Sequence, residues 1–234
     1  MLIIIPNYNE RENIAVLIEE ILQRHPDIEI LVVDDDSPDL TWKHAQATFR
    51  GSPHVHVIRK TGKRGLGAAF VTGFQFGLKN HFDYFITMDA DFSHDPREIS
   101  KFLQNQNHYD IMIGSRYLSP EGTRFYRKDR LMMSKLINLF FTALFGIKCS
   151  DYTNAYRGYK REVIETIVPE TIQSSGFSAL QEILVRAHLL NFTLYEFPII
   201  FNQRKAGESK VSLKEMLRCG LSILKFRFTM RKTF

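Results

Sequence analysis

The sequence predicts an α/β fold with a mostly parallel central sheet and helices on both faces. Three observations lead there. Short uninterrupted apolar runs, Leu2–Ile5 and Tyr84–Met88 among them, read as strands buried on both sides. Stretches with apolar residues at helical spacing lie between such runs. The resulting βαβα order favours parallel strands joined by helical crossovers.

Taken in order, Leu2–Ile5 is the first strand. Arg11–Arg24 places Ile14, Leu17, Ile18, Ile21 and Leu22 on one face of an amphipathic helix. Asn9 followed by Glu12 fits a capping box at its start. Ile28–Val33 is a second strand, ending in Asp34-Asp35-Asp36, and His56–Ile58 is a short third. Gly65–Asn80 reads as a helix after a glycine-rich turn, Tyr84–Met88 as the fourth strand and Asp110–Ser115 as a further one. From Pro120 the character changes: Arg124–Lys135 is basic, and Leu136–Ile147 is apolar and rich in phenylalanine. Those twelve residues are too few for a membrane-spanning helix, which needs roughly 20. They suit either a buried core helix or a segment lying in a membrane interface. Val211–Phe228 repeats the chemistry, with Leu213, Met216, Leu217, Leu221 and Leu224 interleaved with Lys214, Arg218, Lys225 and Arg227.

With 234 residues, 44% hydrophobic and 24% charged, the chain has the bulk of one folded domain, with or without an appendage. The cysteines Cys149 and Cys219 have no metal-type spacing, which favours a reducing compartment. The chain opens directly on a strand-like run with no charged region before it, so no signal peptide is expected. Residues 1–114 hold 11 Lys/Arg against 16 Asp/Glu, whereas residues 115–234 hold 20 against 10. That asymmetry offers the second half an anionic partner: nucleic acid, a phosphorylated substrate or an acidic membrane.

The chemistry concentrates at strand ends. Asp89-Ala90-Asp91 follows the fourth strand, where open α/β sheets bind ligands. Two carboxylates one residue apart are hard oxygen ligands for Mg²⁺ or Mn²⁺, a metal usually shared with a phosphate. Pro6-Asn7-Tyr8-Asn9-Glu10 closes the first strand, and a tyrosine there can lie against a nucleobase. Asp34-Asp35-Asp36-Ser37-Pro38-Asp39 closes the second, where a carboxylate can meet a ribose or a base N–H; a plain Asx and proline turn is the alternative. Lys63-Arg64-Gly65-Leu66-Gly67 lacks the third glycine of a dinucleotide fingerprint, and no Gly-Lys-Ser/Thr is present. A backbone-donor turn at a helix start, with basic charge near phosphates, remains open there.

In this order and spacing, Pro-x-Tyr-Asn-Glu, Val-Asp-Asp-x-Ser-Pro-Asp, Gly-Leu-Gly and Asp-Ala-Asp resemble the family 2 nucleotide-sugar glycosyltransferases, and within them the dolichol-phosphate mannose synthases. The resemblance continues through Gly114-Ser115-Arg116-Tyr117, Arg130 with Ser134, Asp151–Arg157, Gln181-Glu182 and Glu196–Ile199, up to Arg204–Lys210. It implies a single GT-A catalytic domain over 1–234, with interface helices at 120–148 and a basic amphipathic segment at 211–234. It implies inverting transfer from a nucleotide sugar to a polyprenyl monophosphate. On matching positions, Pro6, Tyr8, Glu10 and Asp35 would line the nucleotide pocket, and Asp89, Ala90 and Asp91 would hold donor and metal. Arg204 and Lys210 would clamp the diphosphate, while Arg116, Arg130 and Ser134 would bind the acceptor phosphate. Asp91, Arg116 and Asp151 are then the catalytic candidates, with Asp151 either positioning the acceptor or acting as a base. Gln181 and Glu182 are candidates for donor-sugar hydroxyls.

Three departures stand out. Ser93 stands where some members have a metal-ligating glutamine. Leu40 replaces the usual glycine after Ser-Pro-Asp, and Asn154-Ala155-Tyr156 replaces the commoner Ser-Gly-Phe. Mg²⁺ or Mn²⁺, a nucleotide sugar, a polyprenyl phosphate, an anionic membrane surface and an optional membrane-anchor subunit are the expected partners. Nucleic acid is not. Ser-Pro-Asp after the acidic pair leans by analogy toward GDP-mannose, with a UDP-sugar (glucose or GlcNAc) as the alternative donor. The lipid acceptor implies a peripheral enzyme on the cytoplasmic face of a membrane. A nucleotidyltransferase would need a glycine- and lysine-rich loop where Pro6-Asn7-Tyr8 stands, and a basic nucleic-acid binder would leave the acidic strand ends unexplained.

Overall fold

The structure, a computed structural model, describes residues 1–62, 65–124, 128–171 and 178–202, without the side chains of 128–130 and 168–171. The expected elements are present: β1 (Leu2–Asn7), α1 (Arg11–Arg24), β2 (Glu29–Asp34), β3 (Val55–Arg59), α3 (Leu66–Lys79), β4 (Tyr84–Thr87) and β5 (Ile111–Ser115). Between them lie α2 (Thr41–Thr48) and α4 (Ile99–Asn105), and then come α5 (Lys128–Phe145), β6 (Arg157–Lys160), α6 (Arg161–Thr171), α7 (Ser178–Leu189) and β7 (Leu194–Pro198).

Seven strands form one sheet in the order β3-β2-β1-β4-β6-β5-β7. All pairings are parallel except those of β6, which runs antiparallel to both β4 and β5. The apolar strands are buried on both faces because their side chains alternate between two cores. Leu2 and Ile4 join Leu31, Val33 and Phe85 under α3, α6 and α7; Ile3 and Ile5 join Ile30, Val32 and Ile86 under α1 and α4. Ile14, Leu17, Ile18 and Ile21 form the buried stripe of α1, as their spacing requires.

The capping box is not formed. Asn9 takes a left-handed φ of 58°, and the N-cap residue Glu10 makes no side-chain cap. The neighbouring turn satisfies the open amides instead: Asn9, Glu10 and Arg11 N–H donate to Ser37 Oγ, Thr41 Oγ1 and Asp39 Oδ2 at 3.0, 3.1 and 3.3 Å. Ser-Pro-Asp therefore fastens the start of α1 to the end of β2.

β6 runs between β4 and β5 through Gly158, where a Cβ would collide with the Tyr84 and Phe102 rings. Helix α5 is two-faced, with one side packed in the core and the other exposed. Phe141 is 2% exposed and stacks on Tyr152, while Met132, Leu136, Leu139 and Phe140 are 62%, 54%, 66% and 41% exposed. Gly146, at φ 68°, ends the helix with its N–H on Thr142 O. Among the described residues no helix is long and apolar enough to cross a membrane.

Candidate active site

Strand order brings the predicted residues to one edge. Because the chain lays β2 and β3 on one side of β1 and β4 on the other, β1 and β4 meet at a topological switch point. The carboxyl ends of β2, β1 and β4 carry Asp35, Pro6-Tyr8-Glu10 and Asp89-Ala90-Asp91. β5, parallel to β4 through the intervening β6, delivers Arg116 to the same edge. Antiparallel β6 begins there, so the Asp151–Tyr156 segment leading into it lies over the strand tips.

The three adjacent aspartates avoid mutual repulsion by facing different partners. Buried Asp34 accepts from Asn7 Nδ2 and from Ser37 N and Oγ, the last two at 2.7 Å, closing the Asx turn. Burial pushes its carboxyl up from the ordinary value, against the pull of those hydrogen bonds. Asp36 pairs at 2.7 Å with Arg59, whose guanidinium lies 4.5 Å from the centroid of the Trp42 ring. Asp35 accepts from Lys60 Nζ at 3.3 Å and from Gly65 N at 2.6 Å, so a carboxylate occupies the start of α3. Lys63 and Arg64 lie outside the described residues. Pro6 is buried at the end of β1 and Tyr8 is half-buried, while Glu10 accepts from Asn13 Nδ2.

Asp89 is half-buried, and Ala90 and Asp91 are buried. Asp91 Oδ1 accepts from Ser93 N at 3.0 Å, and Phe92 between them has a φ of 64°. A bulky residue in that region costs about 1–3 kcal/mol and persists only where its surroundings enforce it; here the Phe92 side chain is buried in the core under α1 and α4. Among the described residues no three His, Cys, Asp or Glu side chains converge as a metal-ligand set. The donor set still fits a hard divalent cation. Two carboxylates sit on one tight turn beside the Ser93 hydroxyl, which is buried and has no hydrogen-bond partner in the structure. Such ions are commonly held by one or two carboxylates, with water and substrate phosphate completing the shell.

Arg116 and Asp151 form a buried ion pair, their side chains 6% and 0% exposed. Asp151 Oδ2 accepts from Arg116 N and Nε at 3.1 and 2.7 Å; Oδ1 accepts from Arg116 Nη2 at 2.6 Å and from Asn154 N at 3.1 Å. Thr153 donates to Oδ1 through N and Oγ1 at 3.3 and 3.2 Å. Burial alone would raise this carboxyl, but the Arg116 charge and its hydrogen bonds hold it below the ordinary value. A carboxylate so saturated is poorly suited to take a proton, which speaks against the base role and for a positioning one. Arg116 Nη2 also reaches Thr153 Oγ1, which lies 3.3 Å from Ser134 Oγ; Ser134 in turn accepts from Tyr117 OH at 2.6 Å. Arg116 and Ser134 are thus brought together through Thr153. The side chain of Arg130, and the whole of Arg204, Lys210 and the 211–234 segment, lie outside the described residues.

Gln181 and Glu182 are engaged in packing. Gln181 Nε2 donates to Tyr152 O, and fully buried Glu182 pairs with Arg186 at 2.8 Å. Sequence reasoning missed three braces. Glu196 accepts from Ser150 N and Oγ and from Asp151 N at 2.8, 2.9 and 3.1 Å. Fully buried Arg157 donates to the carbonyls of Asn154, Leu180 and Tyr152. His94 is the third: it accepts the Asp89 N–H.

The switch point between β1 and β4, the acidic turn beside it and the adjoining arginine site lie at one sheet edge, the place where open α/β sheets bind ligands. Residues 2–168 match the family model for glycosyl transferase family 2, and the chain belongs to that family. It is a glycosyltransferase with the expected GT-A fold. It is 40% identical over 213 residues to the polyprenol monophosphomannose synthase of Mycolicibacterium smegmatis, covering 90% of this chain and 80% of that protein. It is 34% identical over 212 residues to the undecaprenyl-phosphate mannosyltransferase of Micrococcus luteus, covering 91% and 87%. Among solved structures, glucosyl-3-phosphoglycerate synthase from Mycobacterium tuberculosis, in complex with phosphoglyceric acid, superimposes with a TM-score of 0.68 at 14% identity, over 97% of this chain and 78% of that one. The same enzyme with Mn²⁺, UDP and phosphoglyceric acid gives 0.66 at 16% identity, over 92% and 72%.

Proposed function

We propose that this glycosyltransferase moves mannose from GDP-mannose to a polyprenyl monophosphate, with inversion and with Mg²⁺ or Mn²⁺, at the cytoplasmic face of a membrane. One observation carries the reading: the acidic turn at Asp89–Asp91 and the Arg116–Thr153–Ser134 cluster share one sheet edge. Asn154 links them: its backbone N–H donates to Asp151, and its Oδ1 meets His94 Nε2, whose ring accepts the Asp89 N–H. The names of the two mannosyl-transferring relatives support the donor sugar and the lipid phosphate.

In this reading Tyr8, Glu10 and Asp35 hold the nucleoside, and Pro6 and Ala90 shape its pocket. A divalent cation bound at Asp89 and Asp91 supplies Lewis-acid stabilisation of the leaving nucleoside diphosphate. Arg204 and Lys210 add positive charge to that leaving group. The acceptor phosphate is already an anion at neutral pH, so it requires orientation and not deprotonation. Arg116, Arg130 and Ser134 orient it, arginine through planar paired contacts. Asp151 acts through Arg116: by fixing the guanidinium from one side, it presets how the phosphate is presented. The exposed apolar stripe of α5 and the basic segment 211–234 seat the enzyme on an anionic membrane, where the prenyl chain stays in lipid. A membrane-anchor subunit is compatible with this arrangement and not required by it.

The test is to incubate the protein with Mn²⁺ or Mg²⁺, labelled nucleotide sugars and a short polyprenyl phosphate, and to follow label into the organic phase. Transfer from GDP-mannose supports the reading; no lipid-linked label from any donor refutes it. The structural neighbours that hold UDP and UDP-glucose favour a UDP-sugar as the second reading. Protection from thermal unfolding by UDP and not GDP would select it.

A further inference from the structure

His94 is fully buried behind the Asp89–Asp91 turn, and each atom that meets its ring restricts it. Asn154 Nδ2 donates to Gly114 O, which turns the amide oxygen toward His94; His94 Nε2 lies 2.7 Å from that oxygen. An acceptor there requires the proton on Nε2. Nδ1 then carries a lone pair, and it accepts the Asp89 N–H at 3.0 Å. The opposite tautomer would set two N–H groups face to face at Asp89 and two acceptors face to face at Asn154. Asp89 Oδ2, 3.8 Å from Nε2, also favours a proton on that nitrogen. The ring is held in plane by Tyr156, stacked at 4.8 Å and 13°, and edge-on by Phe201 at 5.7 Å. Tyr156 OH donates to Asp95 O, and Asn202 N donates to Ser93 O, at 3.0 Å each.

Two of the positions at which this chain departs from the commoner Ser-Gly-Phe, Asn154 and Tyr156, therefore meet at one histidine. We propose that His94 is the positioning residue that fixes the Asp89–Asp91 turn for its cation, and that Asn154 sets the tautomer this requires. The proposal rests on the metal reading above and deepens it. The turn includes Phe92 at φ 64°, and no third His, Cys, Asp or Glu among the described residues joins its two carboxylates, so its shape needs outside support. Hydrogen bonds one step behind metal ligands typically govern affinity by about 10–100-fold.

The test compares His94→Asn with His94→Gln. Both lose the ring stacking, but the Asn oxygen falls near the place of Nδ1 and can accept from Asp89, whereas the Gln amide imitates Nε2. Mn²⁺ is titrated by electron paramagnetic resonance in the presence of whichever of GDP or UDP protects the wild type from unfolding, and nucleotide binding is measured separately in EDTA. The expected result is Mn²⁺ affinity about 10–100-fold weaker in His94→Gln, restored in large part in His94→Asn, with nucleotide binding in EDTA matching the wild type in both. Asn154→Leu is expected to behave as His94→Gln does. Equal Mn²⁺ affinity in the two histidine variants overturns the proposal and leaves the metal reading standing. Absence of any Mn²⁺ binding by the wild type overturns both.

Discussion

The Arg116–Asp151 pair gives the sharpest prediction about how this site is held. In Asp151→Asn one carboxylate oxygen becomes an amide NH₂. The orientation that costs least keeps an oxygen at Oδ1, where Arg116 Nη2, Thr153 N and Oγ1, and Asn154 N all donate. The NH₂ then faces Arg116 N and Nε, two donors it cannot satisfy, and the guanidinium is left buried without its counter-charge. Breaking a buried pair from one side costs about 3–5 kcal/mol. For a chain of this size each kcal/mol moves Tm by about 2–4 °C, so a fall of about 6–20 °C is expected at pH 7, measured by circular dichroism. Arg116→Met with Asp151→Leu should recover most of that loss, since neither charge is then buried alone, while transfer is lost with the arginine. The pH dependence follows from the sign of the shift. Asp151 has a folded pKa below its unfolded value, so its stabilisation is complete above about pH 4 and drains as pH falls toward the folded value. The gap in Tm between wild type and Asp151→Asn should therefore narrow below about pH 4. An Asp151→Asn protein melting within about 2 °C of the wild type at pH 7 would refute the reasoning, because the expected cost is several-fold larger.

Leu40 sits at φ 60° immediately before α2 and is 45% exposed. Relief of the left-handed strain, about 1–2 kcal/mol, outweighs the added chain entropy of glycine, so Leu40→Gly should raise Tm by about 1–4 °C. Leu136→Glu with Leu139→Glu places two charges on the exposed α5 stripe without touching the Phe141 contact; flotation with acidic vesicles should fall severalfold while Tm holds. Unchanged flotation would separate α5 from membrane binding.

The strand tips were legible because each strand that builds them is a short apolar run stopped by acid, proline or glycine. The same local contrast exposed α1 and α3. What escaped had no such contrast. Arg157-Gly158-Tyr159-Lys160 does not alternate, because its arginine is consumed by three backbone carbonyls and its glycine by a close approach to Tyr84. α7 is buried at nearly every position, so no amphipathic stripe marks it, and α2 buries only Thr41 and Ala45. At the site, Arg116 and Ser134 could be paired only through a resemblance, since Thr153 joins them across the fold. His94 was hidden in a loop, where a lone histidine carries no periodicity. The one available signal was the coincidence of two departures, at Asn154 and Tyr156, that both prove to touch it or its neighbour.

Where a sugar nucleotide and its cation settle on this sheet edge decides the function. Crystals grown with GDP-mannose and Mn²⁺, measured at the manganese absorption edge, address that directly. The predicted result is an anomalous peak in contact with Asp89, Asp91 and the donor diphosphate, with the base beside Tyr8 and Asp35. A manganese ion bound away from both aspartates, or a nucleotide seated off the tips of β1, β2 and β4, would contradict it.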